Sequence, residues 1–256
     1  DYIEIIQFFL YFYISVLVLL FGSFYNVVGI RVPNKDSLMG RSHCPKCGKT
    51  LGFLELVPIL GYIVLRGKCR NCKEPISVKY PLMELLTGLL FLFSFVILRE
   101  NMVEYILIVV FISMMVIVTV SDIYYRIVPD IILLIFGPVI FVLRIISPID
   151  FWYDGIIGAI LGFVFLYLIA LYGKYRFKKE ALGGGDIKLY IIIGLVLGYN
   201  LVFLSLFFAA LSGLIFAVFF KNRMSYIPFV PFIFVGSMIT YYFGNDVLNW
   251  YIGLIT

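Results

Sequence analysis

Long apolar segments run through almost the whole sequence and constrain the fold more than any other feature. Of the 256 residues, 63% are hydrophobic and only 14% are charged. A helix needs roughly 20 mainly apolar residues to cross a bilayer. We count eight apolar segments, at Ile5–Ile30, Pro81–Leu98, Val103–Val120, Ile131–Ile146, Trp152–Tyr172, Ile187–Tyr199, Leu201–Phe220 and Pro228–Phe243. The sequence therefore predicts an all-α polytopic membrane protein with about eight transmembrane helices.

The first and sixth segments need separate interpretations. The first is too long for a removed signal peptide and lacks a small-residue cleavage site, so we expect a transmembrane helix within residues 1–30. The sixth is short, and is either a tilted span or half of a hairpin with the seventh, broken at Gly198-Tyr199-Asn200. Residues 31–80 form one polar loop, and residues 81–256 should form a transmembrane helical core.

The distribution of lysine and arginine predicts the orientation in the membrane. With eight spans, four polar stretches share one side, and they carry 18 of the 20 basic residues. These stretches are Arg31–Tyr80, Asp122–Asp130, Gly173–Lys188 and Lys221–Ile227. Cytoplasmic loops of membrane proteins are rich in such residues. We therefore expect a cell-membrane protein with these stretches in the cytosol and both termini outside. The same asymmetry explains the net charge of +5 without a nucleic-acid partner.

All four cysteines lie in the polar loop, as two CxxC pairs. Cys44 and Cys47 are separated from Cys69 and Cys72 by a spacing typical of zinc ribbons. Four thiolates fill a tetrahedral shell, so the pattern predicts a structural zinc site that supplies folding energy to a small loop. Two disulfides, free thiols or a redox dithiol are the alternatives. Disulfides are disfavoured in a cytosolic, reducing compartment.

Two aspartates are placed to meet at one edge of the membrane. Asp122 follows the third apolar segment, and Asp186 precedes the sixth, directly after three glycines. These segments cross the membrane in opposite directions, so both carboxylates should lie at the cytosolic edge. Ionisable groups at membrane depth are costly and are therefore functional candidates. As simpler alternatives, Asp186 is a helix N-cap and Asp122 a polar residue at a span end. Asp130, after Pro129, is better interpreted as an N-cap.

Paired carboxylates suit the hydrolysis of a peptide bond. One is charged and takes a proton from water, while the other is protonated and polarises the carbonyl group. A zinc metalloprotease is disfavoured, because His43 is the only histidine and no HExxH motif is present. We expect His43 to be a loop residue. A proton-coupled transporter would predict internal repeats, and a disulfide-exchange protein would need cysteines on the oxidising side.

A set of motifs in a fixed order covers most of the chain, from Phe21 to about Gly236. The motifs are Gly22–Val28, Arg31–Pro33, Arg41–Gly48, Val57–Leu60, Arg66–Cys72, Pro75–Ser77, Tyr80–Gly88, Ser121–Asp130, Gly183–Lys188, Ile227–Phe229 and Pro231–Phe232. In this order they resemble the type IV prepilin peptidases, which are bifunctional leader peptidases and N-methyltransferases. The family belongs to the GxGD intramembrane aspartic proteases.

The resemblance implies a function and assigns residues to it. Asp122 and Asp186 match the two catalytic positions of the family. The substrates would be prepilins or pseudopilins, cut on the cytosolic side after a glycine that ends a short basic leader. The new N-terminal residue would then be methylated with S-adenosylmethionine as donor. The cysteine loop is tied to this second step, and Gly67 matches a glycine implicated in it. No glycine-rich methyltransferase fingerprint is visible, so methylation rests on the resemblance.

Overall fold

A computed structural model describes residues 18–178, 182–220 and 227–255 of the chain. These residues form the helices α1 (Val18–Arg31), α2 (Phe53–Leu56), α3 (Leu60–Val64), α4 (Lys79–Leu98), α5 (Met102–Tyr125), α6 (Asp130–Ile146), α7 (Asp154–Phe177), α8 (Gly184–Phe220) and α9 (Val230–Ile255). Within these ranges, extended backbone segments pair at two isolated β-bridges. The predicted all-α fold is confirmed. The chain divides into two compact units, Asp1–Val120 and Ser121–Thr256.

Four of the described helices are long and apolar enough to cross a membrane. They are Lys79–Leu98, Met102–Tyr125, Asp154–Arg176 and Gly184–Phe219. The protein is therefore a multi-pass membrane protein. Each predicted apolar segment overlaps a helix or one half of α8, but the count of eight spans stays a prediction. The part of the first segment before Val18 lies outside the described residues. The domain division at residues 30 and 80 also stays a prediction.

The first unit is held together by polar contacts between its helices. The Tyr25 hydroxyl on α1 and the Ser113 hydroxyl on α5 lie 2.7 Å apart in a buried hydrogen bond. The Asn26 amide, one residue further along α1, donates to the carbonyl of Tyr80 on α4 at 3.2 Å. A buried polar side chain is costly unless it is paired. These bonds therefore fix how α1 lies against α4 and α5.

Glu84 joins the polar loop to the helices of the first unit. Its side chain on α4 is buried and accepts hydrogen bonds from the Ile59 N–H, at 2.9 Å, and from Ser23 on α1. Ile59 has φ 61°, which is unfavourable for a β-branched residue. The bond to Glu84 offsets part of that strain. The turn that precedes α3 is thus anchored to the second turn of a membrane helix.

Removing the Glu84 carboxylate is expected to loosen this turn. Glu84→Ala leaves the Ile59 N–H without its acceptor, which should lower local stability by about 1–3 kcal/mol. Amide hydrogen exchange of residues 57–62 should then accelerate, whereas exchange in α7 should not change. Glu84→Gln keeps an acceptor oxygen and serves as the control. Unchanged exchange in Glu84→Ala would show that the turn is held by other contacts.

The second unit contains a break in its longest helix. Gly198 has φ 75° and ψ 177°, so α8 consists of two helices that meet there. Glycine is the residue that adopts this conformation at low cost. The break frees the Val196 carbonyl, and the buried Arg144 guanidinium at the end of α6 donates to it at 2.7 Å. The predicted interruption of the sixth and seventh segments at Gly198-Tyr199-Asn200 is confirmed.

Two glycine pairs bring α7 and α8 close together. Gly158 on α7 faces Gly194 and Gly198 on α8, and Gly162, four residues further along α7, lies against Tyr190 and Val202. A Cβ at Gly158 would collide with the Gly194 carbonyl oxygen, and a Cβ at Gly194 with that of Gly158. Small residues at this spacing let membrane helices approach closely. This packing sets the position of the first half of α8, which carries Asp186 in its first turn.

Candidate active site and metal centre

A cleft of about 380 Å³ in the second unit contains both predicted aspartates. It is lined by Asp122, Arg126, Ile127, Val128, Asp130, Gly183, Gly184, Gly185, Asp186, Lys188, Ile227 and Phe229. The end of α5, the turn into α6, the start of α8 and the segment before α9 supply these residues. The structure therefore brings together carboxylates that are 64 positions apart, as the topology predicted. Their roles in catalysis stay a prediction.

Asp122 lies within the last turn of α5. This helix continues to Tyr125, beyond the predicted segment end at Val120, so Asp122 does not follow the helix but belongs to it. The Ser121 hydroxyl donates to the Ile127 carbonyl at 2.6 Å and so stabilises the turn that follows. The Asp122 carboxylate is only 7% exposed and accepts the Val230 N–H at 3.0 Å. The start of α9 thus fixes the orientation of this carboxylate.

Asp186 is the third residue of α8. The helix begins at Gly184, so Asp186 is not the N-cap, and this simpler interpretation is wrong. Its backbone N–H donates to the Gly183 carbonyl at 3.1 Å, while the half-buried side chain lines the cleft. Asp122 lines the same cleft. Two carboxyl groups that interact strongly titrate as a pair.

The expectation that Asp130 is an N-cap is also wrong. Helix α6 begins at Asp130, with Pro129 in the cap position. Proline takes this place readily because its φ is fixed and no N–H is lost. The Asp130 carboxylate instead pairs with Lys188 on α8, with N–O distances of 2.8 and 2.9 Å. Both side chains are more than half exposed, so the pair contributes little to stability. It joins α6 and α8 at the rim of the cleft.

Gly185 allows the start of α8 to lie against the turn after α5. A Cβ at Gly185 would be 2.7 Å from the Cβ of Val128, which is far inside van der Waals contact. At the neighbouring Gly184, an added Cβ would meet no atom within 4 Å. Gly185 therefore sets the distance between Asp186 and the end of α5, and Gly184 leaves open space in the cleft.

These two glycines make a matched test of the cleft geometry. Gly185→Ala should push α8 away from Val128 and displace Asp186 from Asp122. A displacement of about 1 Å costs about 10²-fold in rate at a site that depends on alignment. Gly184→Ala adds the same methyl group without a contact inside the protein, so it leaves Asp186 in place and should lower peptidase activity much less. Cleavage of a prepilin by the two purified variants measures the difference, and equal activities would exclude this positioning role for Gly185.

The four cysteines of the loop form one cluster in the first unit. Their sulfur atoms all lie within 4.8 Å of one another. Cys44 and Cys72 are 3.8 Å apart, and Cys47 and Cys69 are 4.0 Å apart. A tetrahedral zinc site with Zn–S bonds of about 2.3 Å has S–S edges of about 3.8 Å. The residues therefore fit a four-thiolate metal site, and all four cysteines are unbridged.

Each CxxC pair forms the same backbone knuckle. The Gly48 N–H, just after the first pair, donates to the Cys44 carbonyl at 2.9 Å. The Lys73 N–H, just after the second pair, donates to the Cys69 carbonyl at 3.0 Å. Gly48 and Lys73 both have positive φ, at 70° and 61°. The two knuckles that the spacing predicted are present, and each turns its pair of sulfurs toward the cluster.

Backbone donors favour the thiolate form at two of the four positions. The Lys49 N–H makes the main contribution to lowering the pKa of Cys47 to about 6. The Cys72 N–H likewise lowers the pKa of Cys69. At Cys72 the Glu74 N–H acts in the same direction, but burial and the neighbouring thiols outweigh it and raise the pKa to about 11. Thiolates are the form that binds metal, so part of the cluster is prepared for it.

Gly67 lies between α3 and the second knuckle and has φ 67°. A Cβ at this position would be 2.8 Å from the Tyr62 hydroxyl oxygen and 2.9 Å from its ring carbon Cζ. A side chain at this position would therefore meet the Tyr62 ring and not the backbone beside Cys69. The Gly67 carbonyl accepts the Ile76 N–H at 2.7 Å, which ties this position to the end of the loop.

The Val230 N–H is a part of the site that the sequence analysis missed. It is a backbone donor, and its pairing with Asp122 spans 108 positions. A main-chain group has no side-chain signature. The only signal was the position of the Ile227–Phe229 motif directly before it.

Comparisons with known proteins show which family the chain resembles. A family model described as the bacterial peptidase A24 N-terminal domain matches residues 16–98, and one described as the type IV leader peptidase family matches residues 109–218. The prepilin leader peptidase/N-methyltransferase of Bacillus subtilis is 39% identical, over 91% of this chain and 94% of that protein. No solved structure matches the chain significantly.

Two further relatives cover similar lengths. The type 4 prepilin-like proteins leader peptide-processing enzyme of Escherichia coli is 32% identical, over 88% of this chain and 90% of that protein. The prepilin leader peptidase/N-methyltransferase of Vibrio cholerae is 30% identical, over 89% of this chain and 94% of that protein. With this identity over nearly the full length of the relatives, and with both family models matched in order, the chain belongs to the type IV leader peptidase family.

Proposed function

We propose that this protein removes the leader peptide from type IV prepilins or pseudopilins and then methylates the new N-terminal amine. The observation that carries the peptidase assignment is the pair Asp122 and Asp186 in one cleft, at the ends of two membrane helices. The names of the relatives, which join a leader peptidase to an N-methyltransferase, support both activities. Cleavage after a glycine is the specificity expected from the family.

In the proposed cleavage, the aspartate pair holds one proton between its two members. The charged carboxylate takes a proton from a water molecule while the water oxygen attacks the peptide carbonyl carbon. The protonated carboxyl donates its proton to the carbonyl oxygen, which gives a neutral tetrahedral intermediate. The C–N bond then breaks as the nitrogen takes a proton from the first carboxyl and one hydroxyl of the intermediate returns its proton to the second. This leaves a carboxylic acid on the leader and the new N-terminal amine. We assign neither role permanently to Asp122 or Asp186, because the pair acts as a unit.

The glycines at the start of α8 suit a peptide substrate. Gly183, Gly184 and Gly185 line the cleft beside Asp186. Without side chains they allow an extended peptide backbone to approach the carboxylates closely. The helix also begins here, so the N–H groups of Gly184 and Gly185 have no partner within the helix. We propose that these groups hold carbonyl oxygens of the bound prepilin.

We infer that Cys44, Cys47, Cys69 and Cys72 hold a structural zinc ion. Bound zinc would supply a tetrahedral cross-link that keeps the two knuckles together, and a shell of four thiolates leaves no position for substrate. The cysteines thus shape the loop and take no part in a chemical step. In methylation, the neutral N-terminal amine attacks the methyl carbon of the donor, S-adenosylmethionine. The S–CH3 bond breaks, S-adenosylhomocysteine leaves, and the methylated nitrogen gives up a proton to water. We place this step at the loop near Gly67.

We also propose the orientation that the basic residues predict. The cysteine loop and both aspartates would face the cytosol, with both chain termini outside and membrane lipid around the helices. Prepilin leaders are made in the cytosol, and the methyl donor is a soluble cytosolic molecule. Both substrates would then reach the enzyme from the same side.

Replacing Gly67 should impair methylation far more than cleavage. Gly67→Val places a branched side chain at positive φ and against the Tyr62 ring, so the loop must rearrange there. We expect methylation to fall by about 10²-fold, with cleavage close to wild type. Gly48→Val is the matched control, since Gly48 has the same φ but open space around it. Equal loss of methylation in both variants would trace the effect to backbone strain alone.

The direct test of function uses the purified protein in lipid nanodiscs. It is incubated with a prepilin and with S-adenosylmethionine labelled in the methyl group, and the two products are followed separately by mass spectrometry. We expect the leader to be released first and the label to appear on the new N-terminal amine. Absence of cleavage, with the protein folded and its metal content intact, would refute the proposal.

A further inference from the structure

The polar loop carries an apolar surface that the described part of the protein leaves uncovered. Phe53 and Leu54 on α2 are 84% and 73% exposed, and Ile63 and Val64 on α3 are 61% and 75% exposed. Leu60 lies in the same region and is 60% exposed. We call these five residues the apolar face. Exposed apolar side chains that recur on two successive short helices of a polar loop are unfavourable in water and mark a site of contact.

A basic cleft continues directly from the apolar face. It has a volume of about 350 Å³ and is lined by Val64, Leu65, Arg66, Lys68, Cys69, Arg70 and Lys73. Val64 belongs to both surfaces. All four cationic side chains are exposed, and among the described residues no carboxylate forms an ion pair with them. Four unpaired cations beside an apolar face form an amphipathic surface.

The charge of this cleft disfavours the two positively charged partners of the proposed reactions as its ligands, and Gly67 and Tyr62, near which methylation is placed, do not line it. A short basic leader peptide would be repelled by the four cations. S-adenosylmethionine carries a sulfonium and an ammonium group against one carboxylate, so it too has a net positive charge. An anion with an adjoining apolar portion fits both surfaces at once. Anionic phospholipid is a ligand of this kind that surrounds a membrane protein at all times.

The loop is attached close to the bilayer surface. It follows α1, which ends at Arg31, and precedes α4, which begins at Lys79. The Ile59 N–H, between α2 and α3, is bonded to Glu84 in the second turn of α4. At 1.5 Å rise per residue, Glu84 is about 8 Å from the start of that helix. The apolar face is therefore tied to the end of a membrane helix and lies within reach of the headgroup region.

We propose that the apolar face and the basic cleft dock the cysteine loop onto the membrane, with anionic phospholipid headgroups in the cleft. Apolar side chains would enter the boundary between headgroups and acyl chains, as in interfacial amphipathic helices. Arg66, Lys68, Arg70 and Lys73 would contact lipid phosphates. The docked loop is then held at the depth where the membrane-embedded substrate emerges. This inference goes beyond the proposed function and does not depend on either chemical step.

The test compares the full-length protein in nanodiscs of phosphatidylcholine alone and of phosphatidylcholine mixed with phosphatidylglycerol. Amide hydrogen exchange of residues 52–66 is measured without substrate. We expect exchange to be about tenfold slower in the anionic discs, because each basic residue gains binding energy from an anionic surface. High salt should remove the difference, since it screens exposed charges.

Variants distinguish the two parts of the surface. Arg66→Gln with Arg70→Gln should abolish the dependence on phosphatidylglycerol. Arg41→Gln with Lys49→Gln removes the same charge from exposed positions of the loop outside the cleft. This control should keep the dependence of hydrogen exchange on phosphatidylglycerol. Metal content is measured in each variant to confirm that the cysteine cluster is intact.

A second variant tests the apolar face independently of charge. Leu54→Ser with Val64→Ser leaves the cleft cations in place, and we expect exchange of residues 52–66 to be fast in both kinds of disc. Three results would overturn the proposal. They are equal exchange of the wild-type protein in both discs, protection that appears only when a pilin is added, and a cleft variant that behaves like its charge-matched control.

Discussion

Asp122→Asn and Asp186→Asn are each expected to lower the rate of prepilin cleavage by about 10²- to 10⁴-fold, the range of general acid–base catalysis. An amide can neither take a proton from water nor donate one to the carbonyl oxygen. The change preserves size, and an asparagine oxygen at position 122 can still accept the Val230 N–H, so the fold should be retained. The measurement is the initial rate of leader release by purified protein in nanodiscs.

Asp130→Asn is the control for this result. Asp130 lines the same cleft but is well exposed and paired with Lys188 at its rim. Loss of this exposed ion pair costs little, so the variant should keep most of its peptidase activity. If either Asp122→Asn or Asp186→Asn cleaved prepilin at near the wild-type rate, a mechanism based on these two aspartates would be wrong.

Loss of the second CxxC pair should release the metal and unfold the loop. Binding of structural zinc contributes about 10–16 kcal/mol in small zinc domains, which is more than a loop of this size gains from its own core. In protein purified under reducing conditions, Cys69→Ser with Cys72→Ser should therefore contain no zinc, against about one ion per wild-type chain. Hydrogen exchange between residues 42 and 76 should become fast, and methylation should be lost.

His43→Gln provides the matched control for metal binding. His43 is next to Cys44 but is exposed, and the four sulfurs already complete a tetrahedral set. This variant should keep its zinc. Elemental analysis that finds no metal in reduced wild-type protein would refute the zinc assignment without affecting the peptidase proposal.

The convergence of the aspartates could be predicted from the sequence because it follows from topology. Helices that cross a membrane in opposite directions bring the end of one and the start of another to the same edge. Asp122 and Asp186 needed no knowledge of packing to be placed together. The CxxC pairs were equally predictable, because a two-residue spacer specifies a local knuckle. The break at Gly198 was also predictable from local sequence, because glycine interrupts an otherwise apolar run.

Features that depend on tertiary contacts could not be predicted in this way. Helix α5 continues past Val120, and Asp122 in its last turn finds its partner in the Val230 N–H, which is distant in sequence. Asp130 pairs with Lys188 on another helix, although its local sequence favoured capping. The glycine pairs between α7 and α8 were present in the sequence but acquire meaning only when the two helices face each other.

The contact of Gly67 could not be predicted for a related reason. Gly67 is close to Cys69 in sequence, but the side chain nearest to it is the Tyr62 ring of α3. A positive φ can be inferred from a glycine in a turn. The neighbour that fills the adjoining space cannot.

The most direct test measures both activities in one reaction with the Asp186→Asn protein. The variant is given intact prepilin, pre-cut pilin with a free N-terminal amine, and labelled S-adenosylmethionine, and the products are separated by mass. If cleavage and methylation occupy separate sites, the intact prepilin will remain uncut while the pre-cut pilin is methylated at the wild-type rate. Release of the leader from intact prepilin at near the wild-type rate, or loss of both activities together, would contradict this division between the aspartate cleft and the cysteine loop.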